Sequence, residues 1–169
     1  MAVNLYTFVD LYDRGLDTAA HILAKGAEHA AATGVTEPEM LDWRLIHDMR
    51  PLRFQLMVVC NFPKQWTARV VGLPVPEDIG GDLTVPEFQA AITEAKLFLA
   101  GLTAGQFEGR EDVQITVAIG AGMEPTLPAS RWLTGFATTN FYFHLSTAYG
   151  ILRSHGVQIG KIDLFPNGL

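Results

Sequence analysis

At 169 residues the chain is long enough to bury a core without disulfides or metals as staples, and it is expected to form one domain over residues 1–169. Hydrophobic residues make up 49% and charged residues only 18%, so much of the apolar surface must go into a core or a subunit interface. The net charge of −6 argues against nucleic acid and against an anionic membrane as the main partner.

The start of the chain lacks the basic residues of a signal peptide, and no run is long enough to span a membrane. The first helix is expected over residues 4–32, where Leu5, Phe8, Val9, Tyr12, Leu16, Ala19, Leu23 and Ala27 recur at three- and four-residue steps. Gly34 is its stop. Thr36, Pro38 and Glu39 have the pattern of a capping box with proline in the first turn, opening a short helix to about residue 45.

Asp48 is expected to cap the second long helix, with Pro51 in its first turn and Leu52, Leu56, Val59, Trp66 and Val70 on its core face. Pro63 should kink it, and Gly72 ends it. Cys60, flanked by Val59 and Phe62, is expected to be an inert core thiol; as the lone cysteine it cannot form an intrachain disulfide, which fits a reducing cytoplasm. Thr84 and Glu87 form a second capping box, and the third long helix buries Phe88, Ile92, Ala95 and Leu99.

From residue 112 to 119 the period changes to two, and with residues 123–127 this predicts a β-hairpin whose second strand, carrying Pro125, is an edge. Ser130 then caps the last helix and Gly156 ends it. Projected at 3.6 residues per turn, Leu133, Ala137, Asn140, His144, Ala148 and Ile151 fall on one stripe, which should face the core. The expected fold is therefore all-α: a four-helix bundle with a short hairpin between the third and fourth long helices, and an irregular tail packed along it.

No phosphate-binding glycine loop, His-Glu-x-x-His or Gly-x-Ser-x-Gly motif occurs. The remaining candidates for a polar site are Asn140 and His144 on the last helix, with Asp48 and Gln55 on the second. An i, i+4 pair on a bundle helix lets two side chains converge on one ligand, whereas the blander account is a buried hydrogen-bond network.

The stretches Asp48-Met-Arg-Pro51-Leu52, with Gln55 and Lys64, then Asn140-Phe-Tyr-Phe-His144-Leu-Ser-Thr147, and Gly156-Val-Gln-Ile-Gly160-Lys161-Ile-Asp163 resemble an uncharacterised family, domain of unknown function 1993, related to the DinB-like helical bundles. The resemblance covers essentially the whole chain and implies a four-helix bundle, commonly a homodimer, with no assigned reaction. DinB-like proteins typically hold a divalent metal through three histidines, one near the start of the second helix and two at i, i+4 on the fourth. Those positions fall near Asp48, on Asn140 and on His144, so a single histidine of the three is present. Asp48 begins its helix while His144 lies about 20 Å into its own, which makes Gln55 the fallback partner of His144.

Two functional expectations follow. The missing ligands favour a non-catalytic or small-ligand-binding cytoplasmic homodimer with a degenerate metal triad and no cofactor. The alternative is a hydrolase- or thiol-transferase-like enzyme, either holding a divalent transition metal through Asp48 and His144 or using His144 in metal-free acid–base chemistry. The dimer is expected to use the opposite face of the last helix, through Tyr142, Tyr149 and Arg153, where Lys and Glu are absent. The competing account is that the hairpin or the C-terminal tail covers this face within one subunit.

Overall fold

The bundle begins where the apolar period begins. In the computed structural model, which describes residues 4–168, α1 spans Thr7–Thr33 and buries Val9, Tyr12, Leu16, Ala19, Ile22 and Leu23. Gly34 closes it in the left-handed region at φ 75°, with its N–H on Ala30 O, as a glycine without a Cβ can do freely. Gly15 has a separate role. A Cβ there would run into the Phe141 ring, so the bare backbone is what lets the last helix approach.

The short helix α2 (Glu37–Leu41) ends earlier than its pattern predicts, and its expected cap does not form, since Thr36 makes no side-chain cap bond. Glu37 instead accepts the Val85 N–H at 2.9 Å, tying α2 to the start of the third long helix.

The helix α3 (Leu52–Val71) starts later than expected, with Pro51 as its N-cap and no side-chain cap. Asp48 is exposed in the turn ahead of it and does not cap it. Helical dihedrals are disfavoured for a residue before proline, and at this unsupported start of the helix Arg50 stays outside it. Leu52 N–H bonds to Trp43 O at 2.8 Å, folding the chain back before α3 begins. The helical span continues through the buried Pro63, where Thr67 Oγ1 donates to Pro63 O at 2.6 Å.

The next long helix, α4 (Val85–Ala100), has the predicted capping box. Thr84 Oγ1 accepts from Glu87 N–H at 3.4 Å, and Glu87 Oε2 accepts from Thr84 N–H at 2.7 Å. Phe88, Ile92, Ala95 and Leu99 are buried as the periodicity indicates. A short turn of helix, α5 (Ala104–Phe107), tucks Phe107 into the core.

The hairpin pairs β1 (Gln114–Thr116) with β2 (Thr126–Pro128), Ile115 opposite Leu127. The strands are shorter than predicted, although Val117 N–H to Pro125 O (3.3 Å) and Ile119 N–H to Met123 O (3.0 Å) carry the pairing toward the turn. Trp132 Nε1–H donates to Ile115 O at 2.8 Å and anchors the hairpin to the bundle.

The last rod is not one regular helix. After α6 (Ala129–Arg131) the chain makes a π-helical turn, Trp132–Ala137, before α7 (Thr138–Ser154). Thr138 Oγ1 donates to Leu133 O at 2.7 Å, five residues back, and also meets Tyr12 Oη at 3.0 Å. Across this wider turn the apolar members of the projected stripe, Leu133, Ala137, Ala148 and Ile151, are all buried. Phe141, Leu145 and Leu152 widen this buried face, whereas Asn140 and His144 lie half-buried on its flank. Helix α7 packs chiefly on α3 and also on α1, while α4 packs on both α1 and α3, completing the four-helix bundle with its hairpin between the third and fourth long helices. A short 3-10 turn, Lys161–Leu164, lays the tail back along α1.

Candidate functional site

The polar centre forms where α3 and α7 face each other. Gln55 stands in the first turn of α3 with only 2% of its surface exposed. Its Nε2–H donates to Arg50 O at 2.9 Å, which uses a carbonyl left free by the proline-delayed start of α3. That bond fixes the amide orientation and aims Oε1 at α7, where it lies 2.6 Å from His144 Nδ1. A carbonyl oxygen only accepts, so the proton sits on Nδ1, and in the neutral ring Nε2 carries the lone pair. Nε2 has no hydrogen-bond partner among the described residues, and it is not sealed from solvent.

Burial lowers the His144 pKa from its ordinary 6.5, which keeps the ring neutral near pH 7. Two aromatic rings frame it edge-on: Phe54 at 5.9 Å between centroids and Phe143 at 5.2 Å. The Arg50 guanidinium sits over Phe54, 5.3 Å from its centroid. Phe143 is itself exposed, and two turns further along the same face of α7 the exposed Leu45 would stand 3.8 Å from a Cβ at Gly150.

Of the four residues singled out in the sequence, the structure brings together two. Asn140 turns back on its own helix, donating from Nδ2 to Phe136 O at 2.7 Å inside the π-helical turn. Asp48 is exposed and makes no hydrogen bond to either His144 or Gln55. The metal implied by the DinB-like resemblance does not fit this donor set. One imidazole is present, the Gln55 oxygen is already committed to it, and no group of three His, Cys, Asp or Glu side chains converges among the described residues. Cys60 adds nothing reactive, because burial pushes its thiol up to about 12 despite Lys64 nearby.

The aromatic frame and the Arg50 carbonyl are the parts of the site that spacing did not reveal. Phe54 and Phe143 each precede a site residue by one position, a signal visible in the sequence only once the partner of His144 is known. The residues expected at a dimer interface are engaged within the subunit. Tyr142 Oη donates to Leu11 O at 3.2 Å, Arg153 Nη1 donates to Val157 O at 3.0 Å, and Tyr149 is half-buried against the core. The tail also reaches this side of α7, where residues 164–168 share a cavity with Tyr142 and Ser146. That cavity and the His144 centre do not coincide; they lie on different flanks of α7.

No helix among the described residues is long and apolar enough to cross a membrane. No curated protein matches the chain. Among solved structures it is similar to a DinB family member protein from Shewanella denitrificans, at 28% identity over 93% of this chain and 88% of that one, with a TM-score of 0.84. A family model described as "Domain of unknown function (DUF1993)" matches residues 5–165. The chain belongs to that family of DinB-like helical bundles.

Proposed function

We propose that this protein is a non-catalytic, small-ligand-binding member of the DinB-like bundles, cytoplasmic and homodimeric, in which a hydrogen-bonding centre stands where relatives of the scaffold would hold a metal. The observation that carries the reading is the relay Arg50 C=O, Gln55 amide, His144 Nδ1–H. It spends every directional group on holding one neutral imidazole, whose Nε2 is left to accept a hydrogen bond from a ligand donor between Phe54 and Phe143. The exposed Phe143 beside it, with the exposed Leu45 near Gly150 two turns along the same helix face, supports a second copy covering this face, in place of the Tyr142, Tyr149 and Arg153 face.

A second reading is favoured by the same atom. A neutral histidine held at Nδ1 and free at Nε2 also has the form of a general base, so an acid–base enzyme using His144 is the rival. Asp48 does not supply its second group, being exposed and unbonded to the ring. Equilibrium dialysis of untagged protein with zinc or nickel, followed by metal analysis, tests the metal-free reading. The expected result is no stoichiometric retention after a mild chelator. One equivalent retained by wild type and lost in His144→Ala would replace it with the metal-dependent enzyme.

A further inference from the structure

On the other flank of α7, the tail roofs a cavity of about 300 Å³ between α1 and α7. Its inner wall is Gly15 and the buried Leu145, and its roof is Leu164, Phe165 and Pro166. The roof is tied down at both ends: Thr18 Oγ1 donates to Leu164 O at 2.9 Å, and Asn167 Nδ2 donates to Asp17 Oδ2 at 2.7 Å. Asp163 adds a third tie, accepting from Gly160 N–H at 2.7 Å and lying 2.7 Å from His21 Nε2.

Most polar groups around this space are already engaged. Tyr142 Oη bonds Leu11 O, and the two Asp17 oxygens take Lys96 and Asn167. Two lining residues are exceptions. Arg14 uses only Nε, 3.0 Å from Asp10, leaving its two Nη groups without partners among the described residues, and the Ser146 hydroxyl has none either. An apolar slot with an unspent guanidinium fork and a hydroxyl in its lining suits a ligand with an apolar body and a planar anion at one end.

We infer that this cavity is a binding site for a small amphipathic carboxylate, its chain lying between Leu145 and the Phe165–Pro166 roof and its carboxylate on Arg14 and Ser146. A water's share of liquid volume is about 30 Å³, so the space holds roughly ten water-sized groups, comparable to the non-hydrogen atoms of an eight-carbon acid. The site is independent of the His144 centre.

Octanoate is the probe, titrated into the full-length protein by calorimetry, with 1-octanol and octylammonium as charge controls. Saturable octanoate binding is expected, with both controls weaker by about tenfold or more. Arg14→Gln should weaken octanoate about tenfold and leave 1-octanol unchanged, Ser146→Trp should block both, and His144→Gln should bind octanoate like wild type. Octanoate should also shift the backbone amide resonances of Gly15 and Gly168 in the wild-type protein, a readout that stands even if Ser146→Trp does not fold. The proposal is overturned if octanoate shows no saturable binding at millimolar concentration, if Arg14→Gln binds it as tightly as wild type, if octylammonium binds equally well, or if the shifted amides lie around His144 instead.

Discussion

His144 Nδ1 lies 2.6 Å from Gln55 Oε1, a single hydrogen bond that joins α7 to the first turn of α3 and decides the chemistry of the ring. Because Gln55 is held in turn by Arg50 O, neither partner can rotate without orphaning a polar atom.

Gln55→Leu removes that acceptor and leaves both the His144 Nδ1–H and the Arg50 carbonyl without their partner. The expected cost is about 1–3 kcal/mol, read as a lower urea midpoint at unchanged m-value. Gln55→Glu places a carboxylate against the ring and should raise the His144 pKa instead. An unchanged midpoint in Gln55→Leu would mean that the bond does not hold the two helices in register.

The depressed His144 pKa makes stability depend on pH in a defined direction. The unfolded chain takes up the ring proton near 6.5 while the folded one does not until lower pH. Stability is therefore fully present above 6.5, falls as pH drops below it, and levels off below the folded value. Asp163, held below its ordinary 3.8 by Gly160 N–H and then by His21, contributes in a lower window. Its share is present above 3.8 and is lost as pH falls through the folded value. Unfolding midpoints from pH 8 to pH 3 should show two separate declines, and His144→Gln should abolish the upper one alone.

Two glycines in α1 should respond differently to the same change. A Cβ on Gly15 meets the stiff Phe141 ring, whereas one on Gly26 meets Leu152 Cδ2 at 2.7 Å, the far end of a flexible side chain. Gly15→Ala should cost about 1–3 kcal/mol from overpacking. In Gly26→Ala the helix propensity gained, up to about 1 kcal/mol, should offset most of the strain. Equal melting temperatures for the two variants would show that α7 does not press on α1 at Gly15.

The proposed homodimer makes Phe143 the residue to charge. Light scattering at micromolar concentration should give a dimer for the wild type and a monomer for Phe143→Glu, with the helical circular dichroism unchanged. Tyr142→Glu together with Tyr149→Glu should leave the dimer in place. A wild-type monomer would remove the dimer, and dissociation by the tyrosine pair would return the interface to the other face of α7.

The four long helices were legible because each joins an apolar period to a local stop or start: Gly34 and Gly72 in the left-handed region, Thr84 with Glu87, and Gly156 at φ 89°. Asp48 has the chemistry of a helix cap, yet α3 begins only at Leu52, because the restriction that Pro51 places on Arg50 outweighs it. Asn140 was placed with His144 by a regular 3.6-residue projection. Both residues lie in the regular α7, so the spacing itself holds, but Asn140 Nδ2 turns back to Phe136 O in the π-helical turn, which has no sequence signature of its own. The partnership of His144 with Gln55 was reachable from helix heights alone, as 1.5 Å per residue sets Asp48 too far along. The edge-on rings of Phe54 and Phe143 were not, because rotamers and helix rotation decide which aromatic turns inward.

The measurement that reaches the centre of the proposal is a long-range ¹H–¹⁵N correlation spectrum of His144 at pH 7.5, without zinc and with one equivalent added. The expected spectrum shows a neutral ring protonated at Nδ1, unchanged by the metal. A proton on Nε2, or a stoichiometric zinc shift of the His144 nitrogens, would contradict the metal-free hydrogen-bonding centre.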